Sequence, residues 1–153
     1  MAIEAPVSKY RKTGLIIYIV VCLAASTWFA YDGYFNKKFK AEHTGEDGKF
    51  DSTLVFNRKA PPFGVGIAVL LAAYLFAIRG KKLIADDANF VVSDKERISY
   101  GSIQQIDKTN FDSKGYFVVT YKNKSGNEIK CKISSRNYDN LAAVLEHLVA
   151  KIS

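Results

Sequence analysis

The sequence is poor in the residues from which disulfide frameworks and metal centres are built. It contains only two cysteines in 153 residues, Cys22 and Cys131, and neither belongs to a CxxC or Cys/His spacing. Cys22 lies within an apolar run and Cys131 on an inward position of a predicted strand, so their placement argues against a disulfide between them. We therefore assign both to packing and predict no metal site.

A catalytic constellation is also missing. No Ser/His/Asp or Cys/His arrangement, paired carboxylates or glycine-rich phosphate loop can be read from the sequence. The acidic segment His43–Asp51 places Lys49 where a calcium loop needs an oxygen ligand, so a solvated turn explains it better. The sequence thus predicts a protein that is not an enzyme and uses no cofactor.

Charge is absent from two long stretches of the chain. Residues 14–31 give 18 positions and residues 62–78 give 17 positions without a charged side chain. An α-helix of that length reaches roughly 25–27 Å, close to the ~30 Å hydrocarbon core of a bilayer. We predict transmembrane helices over residues 14–31 and 62–79.

Two other interpretations of these stretches stay open. A pair of buried core helices would have the same composition, although a chain this short has little other apolar surface to cover them. A secretory signal peptide would also begin with positive residues, and AAS at 24–26 resembles a cleavage site. The first stretch is longer than a usual signal-peptide core and continues into aromatic residues, which favours a signal anchor.

Flanking positive charge favours a cytoplasmic location for both termini. The clusters that directly abut the two stretches are Lys9, Arg11, Lys12, Arg79, Lys81 and Lys82. The intervening loop, residues 32–61, has six lysines and arginines but also five acids. We predict an integral protein of a bacterial inner membrane, with a cytoplasmic segment at residues 1–13 and an external loop at residues 32–61.

The external loop is predicted to begin as an extension of the first helix. Its aromatic residues recur at helical spacing on one face, which suits the lipid headgroup region; a plain extension packed on its neighbour is the alternative. The predicted interfacial anchors are Trp28, Tyr31, Tyr34, Phe35 and Phe39. Further on, STLVFN at 52–57 is predicted as a short strand, and Pro61 and Pro62 are predicted to stop any helix from running back and to open the second span.

From Lys81 onward the apolar residues follow the period of two that is typical of strands. A hairpin about residues 124–126 pairs Phe117, Val119 and Tyr121 with Ile133, Cys131 and Ile129 on one face. Its other face and ends carry the candidate membrane or partner surface, Lys122, Lys124, Lys130, Lys132 and Arg136. Near an anionic leaflet each cation would contribute about 1 kcal/mol, but lysines also simply keep sheets soluble. An amphipathic helix follows at the C-terminus.

The segment from Arg97 to Leu148 resembles the bacterial PH-like domains that follow a transmembrane hairpin. The resemblance rests on I-x-Y-x-x-I-x-x-I at 98–106, on Lys114-Gly115 leading into a Val/Tyr-rich strand, and on N-Y-x-N-L at 137–141. It implies a soluble α+β domain over residues 81–153, a small antiparallel barrel or bent sheet capped by a C-terminal helix. It also implies a binding or scaffolding module. ADDAN at 85–89 stands where lipid-binding PH domains carry a basic cluster, so phosphoinositide recognition is not implied.

Three functions follow as hypotheses. The favoured one is a membrane-anchored module that binds a protein partner or scaffolds a complex, either with other proteins or as a homo-oligomer. The second is sensing of lipid, through anionic headgroups, or of a small ligand. The third is an accessory subunit of a larger membrane complex, held through the small residues Gly64, Ala68 and Ala72 of the second span. Nucleic-acid binding is not expected, because the +7 net charge is spread along the chain.

Overall fold

The computed structural model describes residues 2–93 and 96–152, and the chain divides into two compact units. The first unit, here called the sheet domain, combines the chain up to Lys12 with everything from Ala77 onward. The second unit, here called the helical hairpin, is Thr13–Phe76. Positions 1, 94, 95 and 153 of the predicted segments lie outside the described residues.

The sheet domain contains seven described strands in two antiparallel sheets. The strands are β1 (Ile3–Pro6), β2 (Lys82–Ala85), β3 (Asn89–Ser93), β4 (Glu96–Ser99), β5 (Ile103–Asp107), β6 (Tyr116–Lys122) and β7 (Glu128–Ser134). One sheet has the order β1-β2-β3-β4, and the other has the order β5-β6-β7. A 3-10 turn, Tyr100–Ser102, connects β4 to β5. The predicted α+β region of antiparallel strands is confirmed.

The N-terminal strand β1 is not among the predicted elements, and the prediction of residues 1–13 as a separate segment is wrong. In the structure β1 pairs antiparallel with β2, with Ile3 opposite Ala85 and Ala5 opposite Leu83. Ala5 is fully buried, and Pro6 lies in an edge strand, where its missing N–H is tolerated. The residues on either side of the helical hairpin are therefore neighbours in one sheet.

The hairpin of β6 and β7 has the predicted register. Phe117 lies opposite Ile133, Val119 opposite Cys131 and Tyr121 opposite Ile129. The turn closes with the N–H of Asn123 donating to the carbonyl of Asn127 at 2.9 Å, and Gly126 supplies the positive φ of 80°. The prediction of this strand pair is confirmed residue by residue.

A C-terminal helix, α5 (Leu141–Ile152), covers the core of the sheet domain. Its leucine and valine stripe is buried together with inward residues of both sheets, at Leu83, Phe90, Ile98, Phe117, Val119, Ile133, Val144 and Leu148. A short helix, α4 (Phe111–Lys114), joins β5 to β6 and packs the Phe111 ring 5.9 Å from that of Phe117. The predicted C-terminal helix is confirmed.

Two long apolar helices frame the helical hairpin, α1 (Lys9–Ala30) and α3 (Ser52–Ile78). A π-helical turn, Tyr31–Phe35, and a short helix, α2 (Lys37–Glu42), lie between them. Both long helices are apolar enough, over enough residues, to cross a membrane. Most side chains in their apolar windows are exposed, since only 6% of the first window and 17% of the second are buried.

The predicted strand at 52–57 is wrong, and the two prolines do not begin the helix. Helix α3 starts at Ser52, because the Asp51 carboxylate accepts the N–H of Leu54 at 2.8 Å as an N-terminal cap. Pro61 and Pro62 lie inside α3. Pro62 cannot bond the carbonyl four residues earlier, that of Arg58, and the Tyr34 hydroxyl donates to this carbonyl at 3.0 Å instead.

The predicted continuous aromatic face is also wrong beyond Phe35. The chain changes to π-helical geometry at Tyr31 and leaves the helix at Asn36, whose φ of −72° and ψ of 97° are extended. Asn36 then caps α2 by accepting the N–H of Phe39 at 3.2 Å. Gly33 is buried at this point, where an added Cβ would lie 2.9 Å from the carbonyl oxygen of Asn57.

Candidate functional site

The predicted basic surface is divided between the two ends of the β6–β7 hairpin. All five of its residues are exposed. Lys122 pairs with Glu128 at the end next to the turn, and Lys124 lies in the turn itself. Lys132 pairs with Val118 towards the other end, and Arg136 follows β7 there. Lys130, opposite Thr120, lies between the two ends.

A basic cleft of about 460 Å³ occupies the end of the hairpin that carries Lys132 and Arg136. It is lined by Ser113, Lys114, Tyr116, Lys132, Ser134 and Arg136. The Lys132 ammonium lies 3.8 Å from the centre of the Tyr116 ring, a cation–π contact that orients the lysine. Lys114 is not part of the predicted basic surface, because its helix α4 becomes a neighbour of β7 only through the sheet.

A second feature is a groove of about 610 Å³ beside α5, called here the α5 groove. It is lined by Lys108, Thr109, Phe111, Asp112, Ala142, Leu145, Glu146 and Val149. Phe111 and Val149 are half-buried, so part of their apolar surface is available in the groove. Lys108 gives one positive charge, and Asp112 and Glu146 give two negative charges around this apolar floor.

Strand β5 lies beside the α5 groove with one side unpaired. Among the described strands, β5 is hydrogen-bonded only to β6, so it is an edge of its sheet. The groove includes Lys108 and Thr109, which directly follow β5, and α5 also contacts the 3-10 turn that directly precedes β5. Helix α5 therefore passes both ends of β5, and the unpaired edge of β5 is the feature that strand addition by an extended peptide requires.

The predicted interfacial aromatics differ in what they contact. Trp28 and Phe35 have 69% and 73% of their surface exposed, and Tyr31 is exposed as well. Tyr34 is half exposed but donates to the Arg58 carbonyl, so it also holds α3. Phe39 is half-buried, with its ring centre 4.3 Å from that of His43.

One of the predicted packing residues of the second span, Gly64, lies against α1 of the same chain. An added Cβ on Gly64 would collide with the Ser26 hydroxyl, which itself donates to the Cys22 carbonyl at 2.7 Å. Ala68 is buried, whereas Ala72 is exposed. The close helix approach at Gly64 is therefore already used within the helical hairpin.

The titratable groups of the sheet domain's interior form no reactive cluster in the described residues. The Tyr121 hydroxyl donates to the Glu96 carboxylate, and burial followed by that carboxylate raises the pKa of Tyr121 to about 12. Burial also raises the pKa of the Cys131 thiol, which makes it a poor nucleophile. In residues 2–93 and 96–152, no three His, Cys, Asp or Glu side chains come together to hold a metal ion.

Comparisons with protein-family models, with curated proteins and with solved structures gave no match. The described residues present two surfaces with features suited to binding, the basic cleft and the α5 groove.

Proposed function

We propose that the protein is a non-enzymatic membrane-anchored module that binds a partner protein through the α5 groove of its sheet domain. Helices α1 and α3 form the anchor in this proposal, and the sheet domain lies at the membrane surface. The proposal rests on one observation: the unpaired edge of β5 lies beside an apolar groove that has charges of both signs at its rim.

Exposure of the two apolar helices supports membrane insertion. A core helix of a soluble protein is mostly buried, whereas the apolar windows of α1 and α3 are 6% and 17% buried.

The strand β1 argues against removal of the first helix as a signal peptide. Cleavage at 24–26 would remove a strand whose Ala5 is fully buried in the sheet domain.

The pairing of β1 with β2 supports an even number of crossings. Val7 donates its N–H to the carbonyl of Lys81 at 3.2 Å, and Pro6 lies opposite Lys82. The chain entering α1 and the chain leaving α3 must then be on one side of the membrane. In this proposal that side is the cytoplasm of a bacterial cell, and the positive clusters at both places support it.

The strand order supports the resemblance to PH-like domains. A four-stranded and a three-stranded antiparallel sheet are followed by one C-terminal helix. We propose that the domain is PH-like and that the helical hairpin is inserted between its first two strands.

The partner in this proposal contributes an extended segment. It would add to the free edge of β5 by main-chain hydrogen bonds and place apolar side chains against Phe111 and Val149. Anchoring keeps the groove near the membrane, so its effective concentration for a membrane partner is high even if the groove binds weakly.

The test is site-specific photo-crosslinking of the full chain in native membranes. A photoreactive phenylalanine at Ala142, an exposed position in the groove, should give a discrete adduct with one other protein. The matched probe at Ala150 is exposed on the same helix but is not among the groove residues, and should give none or much less.

The substitution A142W, which fills the groove, should prevent the adduct from a probe at Glu146, while A150W should leave it in place. Equal adducts from Ala142 and Ala150, or an adduct from Glu146 that survives A142W, would contradict binding in the groove. An adduct only from probes on the outer faces of α1 or α3 would favour the accessory-subunit hypothesis instead.

A further inference from the structure

The basic cleft concentrates positive charge without internal neutralisation. Lys114, at the end of α4, and Lys132 and Arg136, in and just after β7, line one cavity. Among the described residues, none of the three takes part in an ion pair. Two hydroxyl side chains, those of Ser113 and Ser134, lie in the same lining. Cations and hydroxyl donors around one concave space are suited to an oxyanion.

The fold holds Lys114 and Arg136 together through the backbone. The N–H of Ser135 donates to the carbonyl of Gly115 at 2.8 Å, which joins the end of α4 to the end of β7. Gly115 has a φ of 69°, and its α-carbon lies so close to the Ser135 side chain that a Cβ would collide with it. Lys114 and Arg136 are the next residues on either side of this junction. Their positions are therefore fixed by main-chain contacts.

The same junction is joined to the start of α1. The buried Ser8 hydroxyl donates to the carbonyl of Arg136 at 2.6 Å, and the N–H of Ser8 donates to the carbonyl of Asn137 at 2.9 Å. The Asp139 carboxylate accepts the N–H of Lys9 at 3.0 Å. Ser8 precedes the uncharged stretch, which begins at Gly14, by only six residues.

We propose that the basic cleft binds the phosphate of an anionic phospholipid headgroup in the leaflet that α1 enters. The backbone junction beneath the cleft includes Ser8, which is close in sequence to the uncharged stretch, and the headgroup layer adds only about 5–7 Å on each side of the hydrocarbon core. The arginine fork matches phosphate oxygens, and the lysines add charge that the anionic surface attracts. The hairpin turn with Lys122 and Lys124 lies at the opposite end of β6 and β7 and has no part in this site.

This inference rests on the membrane insertion proposed above and is independent of the α5 groove. The experiment uses the full chain in a mild non-ionic detergent, after recovery from the membrane fraction has established insertion. Native mass spectrometry then measures binding of phosphatidylglycerol and of phosphatidylcholine. The cleft variant carries K114Q, K132Q and R136Q, and the control variant carries K122Q, K124Q and K130Q. Both variants lose three exposed cations.

We expect phosphatidylglycerol to bind more tightly than phosphatidylcholine. The cleft variant should lose at least about tenfold in affinity for phosphatidylglycerol, because each cation near an anionic lipid contributes about a fivefold factor. The control variant should lose less than about twofold. The single variant R136Q, which alters one exposed side chain, should show part of the loss, and an unchanged thermal unfolding curve would exclude misfolding as its cause.

Equal losses in the cleft and control variants would overturn the proposal, because they would indicate a diffuse effect of net charge. Equal binding of the two lipids would overturn it as well. Displacement of phosphatidylglycerol by an equimolar amount of inorganic phosphate would assign the cleft to a free anion rather than a lipid. A chain found in the soluble fraction without detergent would refute the membrane insertion itself, before any lipid is added.

Discussion

The sheet domain and the helical hairpin place the same residue type in opposite environments. Phe90 and Phe117 of the sheet domain are fully buried. Phe35 and Phe63 of the helical hairpin each have 73% of their surface exposed. The sheet domain therefore has a core of its own, whereas the helical hairpin presents apolar surface outward over most of its length.

Under the proposed membrane insertion, this difference reflects two environments, water around the sheet domain and lipid around the helical hairpin. Apolar surface in water costs roughly 25 cal/mol for each Å², so a continuous band of exposed aliphatic and aromatic side chains needs lipid or other helices around it. The sheet domain should then respond to core substitutions as a water-soluble protein does. The helical hairpin should respond only where its own helices touch.

The first prediction is the largest and compares one substitution in both regions. F90A removes a fully buried ring from the core and should destabilise the sheet domain by about 3–5 kcal/mol. F63A removes an exposed ring and should change the stability of either region by less than about 1 kcal/mol. Hydrogen exchange of the full chain in detergent reports the opening free energy of each region separately. A comparable loss from both substitutions would remove the distinction between the two regions.

The β6–β7 hairpin shows what could be predicted from sequence. Its alternating residues are local, its turn is marked by Gly126, and only one register places all three apolar pairs on the inward face. Helix α5 was predictable for the same reason, because its stripe of buried residues follows the helical period.

Strand β1 and the start of α3 show what could not be predicted. The alternation of Ile3, Ala5 and Val7 was present in the sequence, but a strand of four residues has a partner only after the chain has passed through the whole helical hairpin. Pro61 and Pro62 predict a helix boundary, because proline lacks the N–H that a helix interior needs. The compensating donor, the Tyr34 hydroxyl, lies 24 residues from the Arg58 carbonyl, and no local pattern indicates it.

The candidate site also contains residues that could be predicted from the sequence and residues that could not. Lys132 and Arg136 could be predicted from strand alternation, and both line the basic cleft. Lys114 could not be predicted, because its place beside Lys132 and Arg136 depends on the backbone hydrogen bond from Ser135 to Gly115. The α5 groove likewise depends on where α4 meets α5, which is a matter of tertiary packing.

The second prediction concerns the contact between α1 and α3. G64L should separate the helices, because its side chain would enter the space of the Ser26 hydroxyl, and should destabilise the helical hairpin by about 1–3 kcal/mol. G66L, two residues away, has no heavy atom within 4 Å of the added Cβ and should have little effect. Thermal unfolding in detergent, followed by far-UV circular dichroism, measures both. A larger effect from G66L would place the helix contact on another face.

The third prediction concerns the bond that replaces a helical hydrogen bond at the prolines. Y34F removes the hydroxyl that donates to the Arg58 carbonyl and should cost about 1 kcal/mol. Y31F removes a hydroxyl at an exposed position of the same π-helical turn and should cost less than about 0.5 kcal/mol. The same unfolding assay tests the pair. Identical curves for both variants would mean that the Arg58 carbonyl is satisfied in another way.

The last prediction is the smallest and concerns acid. The pKa of Asp51 is lowered from its usual value, first because the Leu54 N–H donates to its carboxylate and second because His43 pairs with it at 2.6 Å. A lowered pKa in the folded state means that the carboxylate's contribution is present above its unfolded pKa, near 3.9, and is lost as the pH falls through the folded value. Protection of the Leu54 amide from hydrogen exchange should therefore fall on acidification.

The variant D51N tests the charge separately from the cap. Its amide oxygen can still accept the N–H of Leu54, so the cap should persist while the dependence on acid disappears. Asp86 of the sheet domain is the matched reference, because the backbone N–H groups of Asn89 and Ala88 lower its pKa in the same manner. Acid should weaken the hydrogen bonds that the Asp86 carboxylate accepts from Ala88 and Asn89 to the same degree in D51N and in the unsubstituted chain. If D51N changed that response, the two regions would be coupled, and the comparison of two independently solvated units would have to be abandoned.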